Sequence, residues 1–360
     1  MVKRVSWNVL APLIALVALV FSWGQEIGPV VGALAAVLLG GAVLAAVHHA
    51  EVVAHRVGEP FGSLVLAVAV TVIEVALIVT LMTSGGDKAA TLARDTVFAA
   101  VMITTNGIVG LSLLLGSRRY GVTQFNAHGS GSALATVATL ATLGLVLPTF
   151  TTSHPGPQFS PGQLAFAAVV SLGLYLMFVF TQTVRHRDFF LPVVQKGAVD
   201  DDNHADPPST KSALLSLGVL LVALVAVVGL AKVESPFIER MVAAAGFPHS
   251  FVGVVIALVV LLPETLAAGR AARQGRMQIS LNLAYGSAMA SIGLTIPAIA
   301  LASIWVRGPL LLGLGPIQLV LLALTMVVSV LTVVPGRATR LEGEVHLVVL
   351  AAWLFLAISP

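Results

Sequence analysis

Eleven apolar stretches run through this chain, each close to the ~20 residues that an α-helix needs to cross a bilayer. They fall at about 7–23, 27–50, 61–83, 95–116, 131–149, 163–184, 212–231, 249–270, 278–301, 308–334 and 344–359, and the short segments between them hold almost all the charge. Only 10% of the residues are charged and 58% are hydrophobic, whereas a soluble domain carries roughly a quarter charged residues. Lipid cannot satisfy exposed backbone groups, and the stretches are too long and too uniformly apolar for barrel strands. The expected fold class is therefore an all-α integral membrane protein of about eleven transmembrane helices.

Lys3 and Arg4 precede the first stretch, as in a secretory signal. The run to Trp23 is long for a signal core, and no small-x-small cleavage site follows it; a retained first helix is expected. With the N-terminus in the cytoplasm, fourteen basic residues fall on the cytoplasmic side, among them Arg56, Arg118, Arg119, Arg185, Arg187, Arg270, Arg273, Arg276, Arg337 and Arg340. Five fall on the other: Lys88, Arg94, Lys232, Arg240 and Arg307. That asymmetry favours this orientation. The longest polar stretch divides the chain into an N-terminal helix (1–25), a first five-helix unit (26–184), an acidic cytoplasmic linker (185–211) and a second five-helix unit (212–360). An odd number of helices per unit puts homologous units in opposite orientations, the inverted-repeat plan of many transporters. Both units hold an acid on their second helix, followed by a helix rich in small and polar residues; Gly107 aligns with Gly286 and Ser112 with Ser291.

Of sixteen acidic residues, Glu74 and Glu264 are placed deep inside a span. A carboxylate near the bilayer centre costs roughly 3 kcal/mol on insertion scales, so each is expected to face a cavity or a partner. No Lys or Arg lies inside a predicted span to pair with them, which leaves protons or bound cations as counter-charges. Small residues share the stripe of each acid and permit close helix approach: Ser63, Ala67 and Thr71 with Glu74, and Gly253, Ala257 and Ala268 with Glu264. Pro263 cannot donate to the carbonyl of Val259 and should kink or break that helix, leaving a hard oxygen beside Glu264. Calcium takes 6–8 oxygens from carboxylates, carbonyls and amides. The candidate cation and proton ligands are Glu74, Glu264, Asn106, Ser287, the Val259 carbonyl and Thr71, within a polar lining that also includes Thr104, Thr105, Ser112, Asn282, Ser291 and Thr295. A charge of −2 is neutralised by one calcium ion or by two protons, so rocking of one unit against the other would exchange them.

His48, Glu51 and His55 stand at spacings of three and four at the cytoplasmic end of the second span. They suit proton access or pH sensing; an intramembrane metalloenzyme is the alternative from another class, although the His-Glu-x-x-His pattern is absent. The Asp200–Asp206 run with His204 reads as a solvated linker. Arg270, Arg273 and Arg276 suit anionic lipid headgroups, and Glu234 and Glu239 could draw cations to the outer mouth. The chain has no cysteine, which excludes disulfides and thiolate metal sites. Phosphate loops, nucleophile elbows and nucleic-acid modules are missing, and neither a resident cofactor nor a nucleic-acid partner is expected.

Three stretches carry a resemblance: HHAEVVAHRVGEPFGSLVLAVAVTVIEVALIVTLM (48–82), RDTVFAAVMITTNGIVGLSLLLG (94–116) and LNLAYGSAMASIGLTIP (281–297). They are similar to the ChaA-type calcium/proton antiporters, in the cation/proton exchanger branch of the calcium/cation antiporter superfamily. The resemblance covers nearly the whole chain. It implies ten core helices in inverted repeats, one essential glutamate per repeat matching Glu74 and Glu264, and polar residues on the following helices matching Asn106 and Ser287. It also implies a multi-pass protein of the bacterial inner membrane. Many members carry Gly-Asn-Ala-x-Glu around each acid; here Thr71 and Leu261 stand at the asparagine positions. The expected activity is exchange of cytoplasmic Ca2+ for protons, with Na+/H+ or K+/H+ antiport on the same scaffold as the alternative.

Overall fold

The apolar stretches become eleven helices in the computed structural model, which describes residues 6–25, 27–58, 61–84, 90–193, 208–305 and 308–359. They are α1 (Trp7–Ser22), α2 (Pro29–Val57), α3 (Phe61–Ser84), α4 (Leu92–Tyr120), α5 (Ala127–Phe150), α6 (Pro161–Arg185), α7 (Thr210–Ala244), α8 (Phe251–Arg273), α9 (Met277–Ala302), α10 (Pro316–Val333) and α11 (Arg340–Ile358). Among the described residues, nine helices are long and apolar enough to cross a membrane; α1 and Val68–Thr80 of α3 are apolar but shorter.

Local chemistry fixes the ends. Asn126 and Ser209 accept from the backbone N–H of Gly129 and Ser212, while Ser160 with Gln163 and Thr339 with Glu342 form reciprocal capping boxes, satisfying donors that a helix start leaves open. Pro29, Pro161 and Pro316 open their helices, where a missing N–H costs nothing. Gly58 and Gly275 follow α2 and α8 with φ of +80° and +79°, a conformation that a side chain would strain.

Two of the departures from the expected spans bear on the site's surroundings. α7 runs on through Lys232 to Ala244 instead of ending near 231, with Lys232 held over the Trp23 ring at 5.3 Å. α10 begins at Pro316, not 308. The Gly- and Pro-bearing segment before it is apolar yet extended, and its N–H groups donate to neighbouring segments: Leu311 to Ala90 and Gly313 to Pro157 in loops, and Leu314 to Leu145 within α5, each at 2.9 Å. Apolarity marked depth there, not helicity. The start of the presumed linker is also ordered. Arg187–Phe190 form a short 3₁₀ turn, Phe190 is buried, and its carbonyl accepts from Asn282 Nδ2 at 2.7 Å. The Asp200–Asp206 run lies outside the described residues.

Loop-to-loop bonds show that successive helices alternate in direction. On one face, Thr123–Gln124 pairs antiparallel with Arg337–Ala338, Arg119 donates to the Arg273 carbonyl, and Arg56 donates to Thr210. On the opposite face, Arg240 donates to the Ile27 carbonyl, and the 308–315 segment meets the loops before α4 and after α5.

Two cores fill the interior. One is built mainly from α4, α5, α6, α9, α10 and α11; the other joins α1, α2, α3, α7 and part of α8. They do not coincide with the two halves of the sequence, because α2 and α3 pack with α7 and α8. The helices bearing the acids lie at the seam. On α8, Val254, Ala257 and Leu261 enter the first core while Val252, Ile256 and Val260 enter the second. On α3, Ile78 enters the first, and Val70, Ile73 and Leu77 the second.

Candidate functional site

Helical spacing puts each acid where the two cores meet. Glu264 continues the Val252–Ile256–Val260 stripe at i+4 and lies three residues beyond Leu261, so its helix face is shared between cores. Glu74 is four residues before Ile78 and one after Ile73. Each acid also stands equally far into its helix, from Phe61 to Glu74 and from Phe251 to Glu264. Only 2% of Glu74 and 6% of Glu264 is exposed, which seals both from water.

The surroundings leave the carboxylates underpartnered. Ser291 Oγ on α9 donates to Glu74 Oε2 at 2.6 Å. Glu74 Oε1 and Glu264 Oε2 are buried without a hydrogen-bond partner, and among the described residues neither acid is ion-paired. Glu264 lies within electrostatic reach of both Glu74 and Glu51. One turn on from Ser291, the Thr295 hydroxyl is also buried without a partner. Leaving a buried acceptor unsatisfied costs about 1–3 kcal/mol, more if it is charged, a cost that a proton or a cation at each carboxylate would relieve.

The other candidate ligands are placed unequally. Thr71 is buried one turn before Glu74. Val259 is half-buried, and α8 runs through Pro263 without the expected break; packing against neighbouring helices lets a membrane helix accommodate proline. Ser287 is half-buried one turn before Ser291, and it is Ser291 that reaches an acid. Asn106 is fully buried but committed elsewhere. Its Nδ2 donates to Thr325 Oγ1 at 3.0 Å, and its Oδ1 lies 3.2 Å from His346 Nδ1, whose other ring nitrogen lies 3.1 Å from Thr332. The cause is a π-helical turn at Ile103–Ile108, which inserts a residue into the helical register and rotates the residues beyond it. Ser112 likewise accepts from Ser280, at 2.6 Å, rather than meeting Glu264. Asn282 is held by Phe190 and Gln278.

The polar end of α2 divides in three. His48 and Glu51 are half-buried and His55 is exposed, while the neighbouring His49 is buried with Nε2 3.2 Å from the Asn8 carbonyl. Among the described residues no three His, Asp or Glu side chains gather as a metal cluster, so His48, Glu51 and His55 do not form the centre that a metalloenzyme needs.

Two further acids are buried where hydropathy does not place them. Glu234, outside the predicted spans, is fully buried within α7, and Asp95 at the start of α4 is buried against Arg94 at 2.8 Å. The charge of Lys232 marks the span as finished in the sequence; only a helix continuing past it draws attention to Glu234.

A family model for the sodium/calcium exchanger protein matches residues 27–184 and 215–359. The chain belongs to the sodium/calcium exchanger family. Within it, the chain is 47% identical over 327 residues to y4hA of Sinorhizobium fredii, an ionic transporter by name, covering 90% of this chain and 87% of that one. It is 36% identical over 351 residues to the sodium-potassium/proton antiporter ChaA of Escherichia coli, covering 96% and 94%. The crystal structure of the H+/Ca2+ exchanger CAX superposes with a TM-score of 0.70 at 16% identity, over 97% of this chain and 86% of that one, a likeness of fold. The protein is thus a multi-pass membrane transporter, a cation antiporter of the sodium/calcium exchanger family and not an enzyme.

Proposed function

We propose that this exchanger carries Ca2+ out of the cytoplasm against protons, with Glu74 and Glu264 as one shared site. The observation that carries the reading is the pair of sealed carboxylates, each with a buried oxygen that no protein group satisfies. One divalent cation or two protons cancels their charge, and low-dielectric surroundings make it costly to leave that charge uncancelled. The two kinds of occupant therefore compete for the same oxygens. Ser291, and Thr71 and Thr295 beside the acids, add neutral donors suited to a hard cation.

Movement follows from the seam. α3 and α8 each contribute to both cores, so sliding of the α1, α2 and α7 body against the other core would open the acids to one face and then the other. Glu51, half-buried between the face bearing the α2–α3 turn and Glu264, suits proton or cation entry there, with His48 and His55 as pH-sensing neighbours. The charge asymmetry of the loops supports assigning that face, and the N-terminus, to the cytoplasm of a bacterial inner membrane.

A specific observation favours a second reading, Na+ or K+ against protons. Leu261 and Thr71 stand where an amide would complete a calcium cage, and ChaA is named for sodium, potassium and protons. Flux in everted vesicles decides between them. Calcium, sodium and potassium uptake driven by an imposed pH gradient is compared for wild type, Glu74→Gln and Glu264→Gln. Both variants are expected to abolish uptake of the transported ion; full activity in either one removes the shared-site mechanism.

A further inference from the structure

The second face of the molecule holds an acid that the exchange mechanism does not use. Glu234 lies on α7 about one turn beyond the buried stripe Ala223, Val227, Leu230 and Ala231. That stripe enters the same core as Val70, Ile73 and Leu77 around Glu74, and Val252, Ile256 and Val260 below Glu264. Its exposure is 0%, and both carboxylate oxygens are buried with no hydrogen-bond partner.

Most neighbouring polar groups are engaged elsewhere, while His249 Nε2 is buried without a hydrogen bond. Lys232 is exposed over Trp23, Ser235 donates to Glu239, Arg240 donates to the Ile27 carbonyl, and His249 lies 3.9 Å from Glu239. α1 has no titratable residue, and those of α2 (His48, His49, Glu51, His55 and Arg56) stand at the opposite face. α3 offers Glu74 within its described side chains; α8 offers Glu264, with Arg270 and Arg273 at its far end. Arg94 and Asp95, near the start of α8, pair with each other.

A lone carboxylate in apolar packing has no set of oxygens with which to bind calcium. Its available ligand is a proton. Its position also mirrors that of Glu51. Each precedes an acid-bearing helix, Glu51 before α3 and Glu234 before α8, near the end of the helix that turns into it. At 1.5 Å per residue, Glu51 sits about 9 Å and Glu234 about 15 Å from those turns, on opposite faces of the molecule. We propose that Glu234 is a third proton-carrying acid of the exchanger, receiving protons from the outer face and passing them toward Glu74 and Glu264, as the outward counterpart of Glu51.

The proposal rests on the shared-site reading, and two modes of transport separate the two. The full chain is reconstituted in liposomes with 45Ca2+ and 22Na+ as probes. Proton-coupled exchange is measured beside cation-for-cation self-exchange, which needs no net proton movement. Glu234→Gln, neutral and nearly isosteric, is expected to slow coupled exchange about tenfold or more while self-exchange stays within about twofold. Glu234→Asp, which retains a carboxylate, is expected to recover coupled exchange with its dependence on outer pH displaced. Coupled exchange at the wild-type rate in Glu234→Gln overturns the proposal, as does equal loss of both modes, which marks a packing role. If Glu234→Gln does not fold, Glu234→Asp decides alone, and an unchanged dependence on outer pH counts against the relay. Glu74→Gln, which should lose both modes, tests the shared site independently.

Discussion

If protons and the cation compete for Glu74 and Glu264, the number of protons released per ion is countable. Consider the apparent dissociation constant for Ca2+ on the acid side, where the empty site is protonated. Displacing two protons raises that constant about 100-fold for each unit that pH falls, equivalent to about 2.7 kcal/mol; displacing one raises it about tenfold. The structure supplies two sealed carboxylates and no competing ion pair among the described residues, so wild type should approach the steeper limit. Glu264→Gln leaves one titrating carboxylate and should halve the logarithmic slope. Breaking a buried charge pair costs about 3–5 kcal/mol, so its affinity should also fall about 10²- to 10⁴-fold at fixed pH. Sodium, with one charge to balance, should give the shallower slope even in wild type. Calorimetric titration of the detergent-purified protein across a pH series, repeated in buffers of different ionisation enthalpy, measures both affinity and proton release. Equal slopes in wild type and both glutamine variants would refute the competition, however strong the binding.

Other consequences concern the support around the site. Ser291→Ala removes a hydrogen bond to Glu74; such bonds to charged groups are worth about 1.5–3 kcal/mol, so cation affinity should shift by about tenfold or more, and an unchanged binding isotherm counts against Ser291 as a ligand-positioning group. A Cβ added at Gly253 would sit 2.9 Å from the Thr96 nitrogen and 3.0 Å from the Asp95 carbonyl carbon. Both are backbone atoms that cannot rotate away, so Gly253→Ala should cost about 1–3 kcal/mol, read as a lower thermal midpoint in detergent. His346→Ala strips partners from Asn106 and Thr332 and should cost a similar amount per orphaned group. Its cation affinity should stay at the wild-type value; a tenfold change would tie this network to transport.

Hydropathy made the helices legible because lipid requires long apolar helices, and Glu74 and Glu264 stood out as acids inside such blocks. What the pattern concealed was direction. The extra residue of the π-helical turn at Ile103–Ile108 moves Asn106 off the face that a 3.6-residue period predicts, toward His346 and Thr325. His346 itself lies early in a final helix that reads as uniformly apolar. The burial of Glu234 was hidden by Lys232, whose charge suggested a membrane exit although its ammonium lies over the Trp23 ring and the helix continues. The extended 308–315 segment failed for the opposite reason, since glycine and proline permit apolar residues to be buried without a helix.

The division into two cores could not be read from chain order, and it bears directly on how the exchanger can work. Two halves packed separately would place Glu74 and Glu264 on opposite sides of a single interface, each fixed to its own half. Here the first helices of both units interleave, and Glu74 and Glu264 ride on helices that belong to both cores. A shift at the seam then alters the surroundings of both acids together. Glu74 already takes its one described hydrogen bond across that seam, from Ser291 on α9, a helix of the other core. An ion held by both acids would fasten the cores together, and so would two protons by removing the charge that forces the acids apart. An empty, doubly charged site would do neither. If the two acids share one site, a seam that moves only when their charge is balanced would couple the two cargoes, because self-repulsion opposes the move when the site is empty.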